Sequence, residues 1–275
     1  MAPFTAVVGT PGLVDCIVAF LPIHLLMRLS SHARQDGVPQ HRHLTISAAT
    51  PDERSFWKRL PLALIQQLAA WLARLTAITL RCPAQLAAAA VGRGAGWCFE
   101  VMVTIVEGHA EARRAAALQR GTLTSIRIFH DVQLTCEELD ALDRTTPERP
   151  PPLVARPTLD ALTSISGLKP VHQSLAERGW EMPSLAWVGQ GGWQPHRLGR
   201  LVVSSRSLRR VRGSIDAGGT GRRDEPRWEK VFEGMPVATG QQPGPLSHLE
   251  AIGPVPVFLH PVLVFLQFGT IDKLR

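Results

Sequence analysis

Between Cys98 and Leu134 the spacing of apolar residues changes period twice, and this stretch restricts the fold more than any other. Phe99, Val101, Val103 and Ile105 recur every second residue, which predicts a strand over 98–106. The following GHAEARRAAALQRG reads as a helix closed by Gly121. Ile126, Ile128, Val132 and Leu134 then alternate again, with Arg127, Asp131 and Gln133 opposite. Strand, helix, strand at this spacing is a βαβ unit, expected to be parallel and right-handed.

Elements on either side extend the unit. Thr50-Pro51-Asp52-Glu53 has a capping-box pattern with Pro at the first helical position, so a short helix is expected up to Pro61. From Leu62 to Arg81 nearly every residue is Leu, Ala, Ile or Trp. Gln67, Arg74 and Arg81 line one polar stripe, which predicts a mostly buried helix ended by Pro83. A further helix is expected over 84–91. Thr135-Cys136-Glu137-Glu138 is a second capping box, opening a helix to Asp143. The fold class is therefore α+β or α/β: a small βαβ-containing core with flanking helices over 50–144.

The rest of the chain is patterned differently. Residues 1–49 form an apolar N-terminal segment and a loop. The uncharged part of that segment, 17–27, falls short of the roughly twenty residues that span a bilayer. Proline density rises from Thr145, and 145–250 reads as a linker and a largely disordered Gly/Pro/Arg-rich region. Within it, short helices are expected at 159–165 and 171–178. The last segment, 251–275, is an apolar tail. Its residues from Ala251 to Ile271 carry no charged side chain. Pro254, Pro256 and Pro261 interrupt it, so a buried strand is expected ahead of a membrane anchor.

Composition bears on function in three ways. Four of the 30 basic residues are lysine, and there is no Tyr and no Asn. Average usage would supply about ten each of Tyr and Asn. The shortage follows AT-rich codons rather than any physical constraint, so one expectation is a conceptual translation of a GC-rich, antisense-type frame without selected function. Second, the four cysteines at 16, 82, 98 and 136 show no metal-ligand spacing, and four in a chain this long make no disulfide framework. A reducing, cytoplasmic setting is the default, with membrane association through the terminal apolar segments as the alternative. Third, the net charge of +7 suits an anionic partner, a nucleic acid or a membrane surface.

The charge is concentrated in 197–223, where eight arginines face one acid, Asp216. Arg206, Arg209, Arg210 and Arg212 are the candidate nucleic-acid-binding residues. Trp187, Trp193 and Trp228 flank them and could stack bases. Catalytic, cofactor and metal residues are not assigned. The histidines of HRH at 41–43 lack a third ligand nearby. The acidic Glu137, Glu138, Asp140 and Asp143, beside His130 and Asp131, read as a helix first turn and a solvated face. There is no G-x-S-x-G, no phosphate loop and no zinc spacing, so an enzyme is the least supported class.

Overall fold

The structure, a computed structural model, describes residues 23–27, 41–84, 96–118, 121–135, 137–138, 156–169, 178–193, 199–200, 203, 205–215 and 251–253. In chain order the elements are α1 (Ile23–Leu26), β1 (His43–Ser47), α2 (Pro51–Arg59), α3 (Leu62–Trp71), β2 (Ala77–Pro83) and α4 (Gly96–Ala115). Then follow β3 (Ser125–Val132), β4 (Ser164–Ser166), β5 (Trp187–Trp193), β6 (Arg210–Ile215) and β7 (Ala251–Gly253).

The N-cap bond of the first box forms, and the second box forms in full. The Thr50 hydroxyl accepts from the Glu53 amide at 3.2 Å, and Pro51 opens α2. At the second box the Thr135 hydroxyl accepts from the Glu138 amide, and the Glu138 carboxylate accepts from the Thr135 amide at 2.9 Å. Each box satisfies helix amides that otherwise lack partners, worth about 1 kcal/mol. Glu138 also pairs with Arg54 of α2, which ties the second box to the first helix.

All strand pairs are parallel, and each strand lies beside the next in the order β1-β2-β3-β4-β5-β6-β7. The fold is α/β. One row of aliphatic residues crosses the whole sheet: Leu44, Ile78, Ile126, Ile165, Val188, Val211 and Ile252 stand opposite one another. The first six are buried. A second buried row, Ile46, Leu80 and Ile128, lies two residues further along the first three strands. Each such side chain contributes about 2 kcal/mol by leaving water. Helix α2 packs on β1 and α4 on β1 and β2 over these rows, and α3 lies against α4. The helices approach closely because Gly108 faces Ala69; a Cβ on Gly108 would sit 3.0 Å from the Ala69 Cβ.

The strands begin alike. Thr76 donates its amide and its hydroxyl to the Arg42 carbonyl. Thr124 does the same to Thr76, and Thr163 to Thr124, with hydroxyl distances of 2.9 and 3.0 Å. The amides of Ala186 and Arg209 continue the series without hydroxyls. Just before each position stands a buried leucine: Leu75, Leu123, Leu162, Leu185 and Leu208. The segments LTAI, LTSI, LTSI, LAWV and LRRV are thus five copies of one unit, Leu-x-x-Ile/Val. Strictly sequential strand order built from a repeated unit is the logic of solenoid proteins.

The expected elements shift at three places. Residues 98–106 are not a strand but the first half of α4. Trp97 to Ile105 are buried with little interruption, so the helix has no polar stripe there, and its alternation is accidental. The helix expected to run to Arg81 stops at Trp71. The β-branched Thr76, Ile78 and Thr79 then enter a strand, and Arg81 belongs to β2. The βαβ unit is therefore β2-α4-β3. Residues 159–165 form a single turn leading into β4: Leu162 donates to Leu159, while Leu159 donates to Glu181 and Thr163 to Thr124 in neighbouring segments. Strands β4, β5 and β6 carry the sheet through 164–215. The helices expected at 84–91 and 171–178 lie outside the described residues except for Ala84 and Arg178, and the apolar tail beyond Gly253 lies outside them too.

Candidate functional site

Parallel sheets are usually covered on both faces. Among the described residues, helices cover this one on one face only. The side chains that alternate with the aliphatic rows point away from the helices, and most of them are polar or small, Phe129 and Trp187 excepted. His43, Thr45, Arg127, Phe129, Asp131, Arg210 and Arg212 are exposed; Ala77, Thr79, Arg81, Ser125, Ser164 and Trp187 are half-buried. Strand alternation alone builds this open face: Val211 is buried, so Arg210 and Arg212 on either side of it both point outward.

The open face is basic. Its one exposed acid on β3, Asp131, is held by Arg81 from the adjacent strand, with both its oxygens bonded at 2.8 to 3.3 Å. Arg127 and Arg212 have no ion-pair partner among the described residues. Trp187 lies between them on β5. A Cβ on Gly189 would be 2.3 to 2.8 Å from three atoms of the Trp187 benzo ring, so the indole lies flat over Gly189 and any side chain there would push the ring away.

Of the four arginines expected from the sequence, the structure brings Arg210 and Arg212 onto this face. Arg206 and Arg209 are exposed just before β6 and lie at the end of the sheet where the strands begin. Arg127, in β3, joins the face from far away in sequence. Its signal was the alternation of Ile126 and Ile128, which places it outward. The Trp193 side chain and Trp228 lie outside the described residues.

A cleft of about 290 Å³ lies between the second half of α4 and residues 156–161, and its buried ionisable groups, Glu107 and His109, are engaged. Buried Glu107 accepts from the Arg178 guanidinium and, at 2.9 Å, from the Trp180 indole N–H. Buried His109 shares a 3.1 Å hydrogen bond with the Thr122 hydroxyl. Burial, with the nearby Arg113 charge, pushes its pKa down to about 4, so the ring is neutral at pH 7. Glu111 pairs with Arg114. These groups bind the helix to the loop and leave no free acid–base pair among them.

The remaining sequence candidates separate. His41 is buried while His43 is exposed at the start of β1. His130 contacts the Gly167 carbonyl at 3.1 Å, and burial lowers its pKa. The Thr135 amide holds the Glu138 carboxyl below the usual range, with help from Arg54. Asp140, Asp143 and Cys136 lie outside the described residues. Cys98 sits inside α4, and burial raises both its pKa and that of Cys82. Among the described residues no group of three His, Cys, Asp or Glu side chains could hold a metal ion, and no helix is long and apolar enough to cross a membrane.

No protein-family model, curated protein or solved structure matches this chain.

Proposed function

We propose that the chain is a non-catalytic binding protein and that the open face of its sheet takes nucleic acid. The observation that carries this reading is the exposure of Arg127, Arg210 and Arg212 beside Trp187 on a face that no described helix covers. Guanidinium groups fixed on strands meet phosphates with little loss of freedom, and Arg127 and Arg212 have no ion-pair partner among the described residues, Asp131 being paired to Arg81. The extended surface of a sheet built from repeated units suits a long ligand better than a small one.

The five-fold recurrence of Leu-x-x-Ile/Val and the aliphatic row it produces support a sequence shaped for this fold, against a frame translated without selection. The missing Tyr and Asn then reflect codon usage alone.

The test is fluorescence anisotropy of a labelled oligonucleotide titrated with the full chain over a range of salt. Affinity should fall steeply as salt rises. The triple variant Arg127→Ala/Arg210→Ala/Arg212→Ala should flatten the log–log slope by about one per phosphate contact removed. A slope unchanged by the triple variant would sink the reading.

A further inference from the structure

Trp187 is a large aromatic side chain of the open face with basic groups on both sides. Three atoms of its benzo ring crowd the position where a Gly189 side chain would begin, so one ring face rests on backbone. The residue is half-buried, so part of its side chain stays open to solvent. The ring lies over the row in which Arg127, Ser166 and Gly189 stand opposite one another. Arg127 is two strands away, about 10 Å, and Arg210 is one strand away on the other side, about 5 Å. A flat indole supported from below and flanked by guanidinium groups matches an unpaired base with its neighbouring phosphates. A duplex keeps its base faces inside its own stack and offers such a ring nothing to cover.

We propose that Trp187 is a base-stacking platform and that the nucleic acid taken by the open face is single-stranded. This rests on the nucleic-acid reading above. The arginines supply charge that single and double strands share; Trp187 supplies the preference between them. Gly189 is part of the site because it holds the ring flat.

The experiment compares a single-stranded oligothymidylate with a duplex of the same length in the anisotropy assay. Wild-type chain should favour the single strand. Trp187→Leu should weaken single-strand binding by about five- to a hundredfold while leaving duplex binding within about twofold. Gly189→Ala is the second variant. Its methyl group displaces the movable indole rather than backbone, so the chain should fold, keep all its charge and still lose single-strand preference. If Trp187→Leu and Gly189→Ala bind the single strand as the wild type does, the stacking platform is wrong and the arginine face stands. If neither nucleic acid binds at low salt, the broader reading fails with it.

Discussion

Replacing Glu107 by Ala tests whether α4 and the segment at 178–180 form one folded unit. Glu107 is 5% exposed and accepts three hydrogen bonds, two from Arg178 and one from Trp180. Breaking a buried ion pair by removing one partner costs about 3–5 kcal/mol. The Arg178 side chain is 21% exposed, so water can partly solvate the stranded guanidinium, and the low end of that range applies. The orphaned indole N–H of Trp180, which is 4% exposed, adds about 1 kcal/mol. The expected loss is about 4 kcal/mol, and Glu107→Gln, which keeps one acceptor, should lose about half of it. The assay is urea unfolding of the full chain followed by far-ultraviolet circular dichroism. Arg178→Ala and the double variant complete a cycle. The double variant should fall short of additivity by about 2 kcal/mol, because the second change removes a group already stranded by the first. Single losses that add to within about 0.5 kcal/mol would refute the contact and the docking of 178–180 onto α4.

Three further predictions follow from buried groups. Gly167→Ala should unfold the chain or cost at least about 3 kcal/mol in the same assay, because φ is +81° and an added Cβ would lie 1.8 Å from the Ile128 carbonyl oxygen, a backbone atom that cannot move aside. Stability should fall as pH drops from about 6.5 to about 4: the unfolded chain protonates His109 near 6.5, whereas the folded ring stays neutral down to about 4. His109→Asn should flatten that part of the pH–stability curve. Cys82, its pKa pushed up to about 12 by burial, and Cys98, whose pKa burial also raises, should resist alkylation at pH 8 and react only on unfolding. Peptide mass spectrometry of the two sites reads this directly.

What the sequence revealed and what it hid have physical causes. Thr50, Thr135 and the alternation around Ile126 were legible because cap and strand signals are local and need only neighbouring residues. The first half of α4 was misread because a helix surrounded by other elements shows no polar stripe. The repeat was hidden by its spacing. Leu162, Leu185 and Leu208 fall 23 residues apart, but Leu75 and Leu123 are separated by the whole of α4. The short strands β4 and β6 hold too few residues to show a period, and β5 is rich in glycine. The site divided in the same way. Arg210 and Arg212 stood out as part of a charge run, while Arg127 needed the strand register to bring it beside Trp187. The role of Gly189 depends on where the indole lies, which no local pattern encodes.

The most direct measurement is ultraviolet cross-linking of a bromouridine-substituted single strand to the full chain, with the adducts located by mass spectrometry. Trp71 serves as an internal control, since it is 49% exposed on α3, away from the open face. The account predicts adducts on Trp187 and on exposed Phe129, and none on Trp71. Adducts on Trp71 without any on Trp187 or Phe129 would contradict it, because they would place the nucleic acid on the helical side of the sheet.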